Sequence, residues 1–144
     1  MEINGLPLHP LVVHAAVIFG PLGALAAIGY VLVPSWRDRL RWPMLVLAVV
    51  AGLSIIAAYL SGDNFLESRP ELEQSPAVET HEELAGKLLW VTVAFSVVAF
   101  AAAWLHTRTG PVRIVLGTAL AVLAVAVLVL VALTGEAGAR AVWG

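Results

Sequence analysis

The sequence predicts an all-α integral membrane protein, an antiparallel four-helix bundle, on three observations. Of 144 residues, 60% are hydrophobic and only 12% charged, too little polar surface to coat a soluble globule. Four apolar stretches, residues 10–33, 43–61, 84–105 and 111–133, are each close to the ~20 residues that cross a hydrocarbon core of about 30 Å. None alternates polar and apolar residues as a barrel strand does, and a backbone in lipid must satisfy its own hydrogen bonds, so each stretch is read as helix. The reading is one domain over residues 1–144, with an acidic loop at 62–83.

The first helix opens at Pro10, whose missing N–H costs nothing in a first turn, and should bend at Pro21 beside Gly20. Its Gly20, Gly23, Ala24 and Ala27 form a small face that permits close helix approach, the main device for packing where lipid is as apolar as the side chains. The second helix is expected to open at Pro43, to carry Ala51, Gly52 and Ala58 as its small residues, and to stop before Gly62. Thr80 and Glu83 have capping-box spacing, which starts the third helix there and puts His81 in its first turn. Ala99 and Ala103 supply its small positions, and Trp90 is expected to pack inside. Gly110 and Pro111 mark the start of the fourth helix and Gly135 its end. No internal repeat stands out.

Orientation follows from the basic residues. Arg37, Arg39 and Arg41 occupy the first loop and Arg108 and Arg113 flank the third, so both loops are expected in the cytoplasm. The connection between the second and third helices carries Asp63, Glu67, Glu71, Glu73, Glu79, Glu82 and Glu83 against the single base Arg69. Both termini and this connection are therefore expected outside, in a multi-pass protein of a bacterial inner membrane. Trp36, Trp42, Trp104 and Trp143 fall near span ends, as interfacial aromatics do.

Several functions are set aside by composition. A formal charge of −2 gives no reason to expect nucleic acid as a partner, and the lack of Cys removes disulfides, thiolate metal sites and covalent haem attachment. The first Lys or Arg is Arg37, so no basic n-region of a signal peptide precedes the first span, which is expected to stay. Motifs for hydrolases, phosphate loops and zinc proteases do not occur, and no independent catalytic activity is expected.

With that topology three histidines fall at the outer level: His9 before the first helix, His14 about one turn inside it, and His81 at the entry of the third. Tyr59 and Asp63, four residues apart and so on one helix face, and Glu136 add polar groups at the same level. His106 lies at the opposite side. An imidazole about 6 Å inside a membrane helix needs a partner, which makes His14 a leading candidate for a ligand. Glu136 is also at helical spacing from Arg140, and Glu83 from Lys87.

The run Leu8-His9-Pro10-Leu11-Val12-Val13-His14 resembles the His-Pro-x-x-x-His opening of a bacterial four-helix membrane family, domain of unknown function 2231. The segments Ala57-Ala58-Tyr59-Leu60-Ser61-Gly62-Asp63, Thr80-His81 and Thr134-Gly135-Glu136-Ala137-Gly138-Ala139 resemble that family's later motifs. The sequence departs from them at Ala15-Ala16, where Phe-Pro is common, and at Glu136, where His is frequent. The resemblance implies a redox neighbourhood, since some members are joined to Rieske or cytochrome c modules.

Three readings follow. In the first, haem b is held for electron transfer by His14 and His81 as axial ligands, with His9 and Tyr59 beside it. In the second, His9, His14 and His81 with Asp63 or Glu136 bind Zn or Cu. In the third, the chain is a cofactor-free structural or assembly subunit. Besides the lipid bilayer, the partners expected are Rieske or cytochrome c type proteins, or a second copy of the chain.

Overall fold

A chain with this much apolar surface must bond its backbone internally, and helix does that within each segment. In the computed structural model, which describes residues 2–3 and 6–143, nearly all of the chain is helical. Two residue pairs, β1 (Glu2–Ile3) and β2 (Leu6–Pro7), form a minimal antiparallel ladder before the first helix. There follow α1 (Leu8–Leu32), a 3-10 turn (Pro34–Trp36), α2 (Arg37–Glu67), the single turn α3 (Pro70–Glu73), α4 (Pro76–Trp104) and α5 (Pro111–Trp143). Each of the four long helices is long and apolar enough to cross a membrane.

The helices extend beyond the apolar stretches, and the extensions correct several boundaries. α1 begins at Leu8, so His9 is inside the helix rather than before it. Pro43 lies within α2, which starts at Arg37, and Gly62 lies within it too, because α2 runs on to Glu67. The Thr80 and Glu83 capping box does not form. α4 starts at Pro76 with Ser75 at its N-cap, and the Thr80 hydroxyl bonds back to Pro76 O in the preceding turn. Glu is a good helix former, so an acidic segment need not be a loop, and Ser75-Pro76 carries the stronger start signal. α5 likewise passes through Gly135 to Trp143. Gly110 has φ +74°, the left-handed turn that only glycine adopts at little cost, immediately before α5.

Successive helices run antiparallel, and contacts close them into a ring: α1 packs on α2 and α5, and α4 packs on α2 and α5. Small side chains make this ring tight. Ala24, Ala27, Ala48, Ala99 and Ala124 have at most trace exposure, around the larger Tyr30, Met44, Phe95, Leu120 and Val127. The small face expected on α1 is buried as a unit, Gly20, Gly23, Ala24 and Ala27 together. Leu25, Leu53, Val97 and Val122 face outward, one from each helix, as a lipid-contacting surface requires. Trp90, expected inside, is 73% exposed on that outer surface.

The buried residues also reveal a repeat that the sequence hides. Met44, Ala48, Ala51, Ala58 and Ser61 of α2 correspond at a constant offset to Leu120, Ala124, Val127, Thr134 and Ala137 of α5, all buried. At a slightly smaller constant offset, Gly20, Gly23, Ala27 and Tyr30 of α1 correspond to Thr92, Phe95, Ala99 and Ala102 of α4. The ring order places α1 diagonal to α4 and α2 diagonal to α5. The bundle is thus two helical hairpins related by an approximate two-fold axis along its length, with few identical residues.

At mid-height the Ser96 hydroxyl lies 2.7 Å from Ala48 O across the α2/α4 interface, with Thr92 O of its own helix 2.9 Å away. This approach depends on Gly52, where a Cβ would come within 2.6 Å of Ser96 Oγ. Gly52→Ala should therefore lower stability by about 1–3 kcal/mol, as overpacking does. In Gly52→Ala/Ser96→Ala the loss should be partly recovered, because the clashing oxygen is gone. Thermal unfolding of the four proteins in detergent, read as a double-mutant cycle, measures this coupling; additive losses would contradict it.

Candidate functional site

The polar residues of the bundle collect at its two ends. At the acidic end, where α1 and α4 begin, the His9 ring crosses from α1 to α2. Its Nδ1 is 2.9 Å from Ala58 O and 3.1 Å from Ser61 Oγ, and the Ser61 hydroxyl itself donates to Ala58 O. A carbonyl only accepts, so Nδ1 carries the proton and Nε2 is left with its lone pair in the neutral ring. The ring lies on Gly62, where a Cβ would sit 3.1 Å from His9 Cε1. Phe65 stacks with it at a centroid distance of 6.2 Å, and the Arg69 guanidinium lies 5.0 Å from the Phe65 centroid.

His81 repeats this arrangement in the second hairpin. Its Nδ1 donates to Thr134 O of α5 at 3.0 Å, and its ring lies on Gly138, where a Cβ would sit 3.1 Å from Cε1. Thr134 and Gly138 are the α5 counterparts of Ala58 and Gly62, so the two imidazoles are two-fold equivalents. Among the described residues neither Nε2 has a partner and neither is a buried orphan. Both rings lie at the same end of the bundle, near the starts of α1 and α4. Beside the His81 contact, Thr134 Oγ1 is buried with no hydrogen-bond partner among the described residues.

The other residues singled out in the sequence do not join this pair. His14 is exposed on the outside of α1, and its Nδ1 donates to Pro10 O in its own helix, so it ties no second helix. Asp63 is exposed and Tyr59 half-buried. Glu136 is exposed and accepts from Arg140, a surface ion pair of little energetic weight. The Glu136 and Arg140 pair lines an open groove of about 470 Å³ between α4 and α5, with Pro76, Thr80 and Leu133. No group of three or more His, Asp or Glu side chains able to hold a metal ion occurs among the described residues.

A family model described as a predicted membrane protein, DUF2231, matches residues 5–144. The chain belongs to this family. No curated protein and no solved structure matches it. The match to the DUF2231 family spans all four long helices and includes both imidazoles of the acidic end.

The basic end of this DUF2231 protein holds a network that sequence reasoning missed. Tyr30 is 2% exposed and its hydroxyl lies 2.8 Å from His106 Nδ1, while His106 Nε2 lies 2.6 Å from Asp38 Oδ1. His106 is buried, and the Asp38 carboxylate is open to solvent. Arg37 donates to His106 O at 3.0 Å, and Arg41 donates to Ala103 O at 2.8 Å. Arg41 satisfies a carbonyl left free in the last turn of α4, Arg37 one in the turn just beyond it, and both oppose the negative pole of that helix. Tyr30 offered a signal in the sequence, being the one hydroxyl on the small face of α1.

The two acidic-end contacts predict matched responses. Gly62→Val and Gly138→Val should each push an imidazole from its carbonyl and lower stability by about 1–3 kcal/mol. Gly135→Val, where nothing lies within 4 Å of a Cβ, should leave the melting temperature nearly unchanged. Thermal unfolding in one detergent compares the three; a neutral Gly62→Val or Gly138→Val would refute the seating of that ring.

Proposed function

We propose that this protein is a small redox subunit of the bacterial cytoplasmic membrane that holds haem b between His9 and His81 at its acidic end. The observation that carries the reading is the pair of two-fold-equivalent imidazoles, each fixed through Nδ1–H to a carbonyl of a neighbouring helix and each presenting a free Nε2. A ligating histidine is commonly held this way, because the Nδ1–H bond sets the tautomer, fixes the ring and raises the basicity of the other nitrogen. Haem b, when bound, supplies a one-electron iron couple tuned by its axial ligands and by burial.

The residues present fit that group better than a bare ion. Two imidazoles would suffice to hold a haem, whereas Zn or Cu sites ask three or four ligands, and no third acid or imidazole joins the pair among the described residues. The unpartnered Thr134 Oγ1 beside His81 is a further polar atom awaiting a ligand or water. Phe65 stacks beside one flank of His9. In this reading His9, not His14, would hold the group together with His81, since His14 faces outward.

Orientation is part of the proposal. The positive-inside tendency of Arg37, Arg39, Arg41, Arg108 and Arg113 supports a cytoplasmic basic end, with the imidazole pair on the outer side. An electron partner of Rieske or cytochrome c type would approach it past the acidic connection.

The test is an absorption spectrum of the full chain purified from haem-replete cells, before and after dithionite. A Soret band with sharpened reduced bands is expected, lost in His9→Ala and in His81→Ala and kept in His14→Ala. A colourless wild-type protein would overturn the proposal and leave the two imidazoles as clasps between helices, the role of a cofactor-free subunit.

A further inference from the structure

The Tyr30, His106 and Asp38 network lies at the opposite end from the imidazole pair and has no part in the function proposed above. Asp38 accepts from Nε2–H, so neutral His106 presents a lone pair at Nδ1, and the Tyr30 hydroxyl must donate to it. The same hydroxyl has a second acceptor, Ala102 O at 3.4 Å. A single phenol proton cannot serve both. If His106 gains a proton at Nδ1, the ring donates to the Tyr30 oxygen instead, and the phenol proton turns to Ala102 O. Every donor and acceptor is then matched in both states, with the exposed Asp38 carboxylate as counter-ion to the charged ring.

We propose that His106 is a proton-binding site of the basic end, in which gain of one proton reverses the hydrogen bond to Tyr30 and moves the phenol to Ala102 O. A purely structural latch would need only one of these states. The second acceptor is what the latch does not explain, together with a fully exposed carboxylate on an otherwise buried ring. Charged groups reach the pair from α2 and α5. Arg37 and Arg41 of α2 lie beside it, with the Arg37 guanidinium 4.8 Å from the Tyr30 ring centroid, and Arg113 of α5 acts on the phenol electrostatically. Asp38 is the acidic partner on α2, and no other acid contacts the pair among the described residues. Because 3.4 Å is long for an O–H donor, the switch draws the Tyr30 hydroxyl across the bundle toward α4 and couples proton uptake to the spacing of these two diagonal helices.

Solution or solid-state NMR of the full chain in lipid nanodiscs tests this, with ¹⁵N in the imidazoles and ¹³C at tyrosine Cζ, between about pH 5 and 8. Tyr59→Phe and His106→Gln assign the two resonances. The expected result is a His106 transition from neutral ring to imidazolium with a Tyr30 Cζ shift at the same midpoint, both displaced together in Asp38→Asn. A His106 that keeps one protonation state across the range, or a Tyr30 signal that stays still while His106 charges, overturns the proposal. Loss of haem from His9→Ala leaves this readout intact, so the two ends are tested separately.

Discussion

The bundle depends on hydrogen bonds from side chains to backbone carbonyls of neighbouring helices. A helical carbonyl already accepts one N–H, but it keeps a second lone pair, and in lipid no water competes for it. Ser96 uses Ala48 O, His9 uses Ala58 O and His81 uses Thr134 O. Each contact requires the backbones to come close. Where a ring or a hydroxyl must lie against a helix, the chain puts glycine in its path, as at Gly52, Gly62 and Gly138. Dispersion along the alanine-lined interfaces adds to this, since the hydrophobic effect gives helices little reason to associate inside a membrane.

Much of this was legible in the sequence. Small residues at helical spacing in an apolar segment have one main use, so the buried face of α1 could be read from Gly20, Gly23, Ala24 and Ala27, and the structure buries all four. The choice between His9 and His14 was legible too, by a route that depth alone does not offer. At 100° per residue His9 points in the direction of Ala27 and within about 20° of Gly20, whereas His14 is rotated by about 140° from His9. The small face thus names His9 as the inward ring and His14 as the outward one. His81 bears the same relation to Thr92 and Ala99 of α4, both buried.

Other features were hidden for physical reasons. The acidic connection was read as loop because its residues are polar, yet polarity says only that they avoid lipid, and Ser75-Pro76 starts a helix there. The two-fold repeat escaped notice because packing conserves volume and direction at equivalent places, not residue type. Met44 stands where the second hairpin has Leu120, and Ala58 where it has Thr134. The partners of His106 could not be foreseen from spacing. They come from two helices, α1 and α2, and meet His106, in the turn after α4, only when the ring of helices has closed.

The approximate symmetry accounts for the different chemistry of the two ends. At the acidic end both hairpins keep the same elements, an imidazole, a carbonyl and a glycine, so the axis relates two equal nitrogens. At the basic end the hairpins differ. The position that carries Tyr30 in α1 carries Ala102 in α4, and these two equivalents touch, the phenol hydroxyl against the alanine carbonyl. Contact between equivalent positions means that the phenol lies at the axis, in space that a second tyrosine would have to share. Only one hairpin can place a large polar group there, and His106 and Asp38 then gather around that single group. A repeated scaffold therefore yields a matched pair of nitrogens where its halves agree and one asymmetric proton-bearing cluster where they do not.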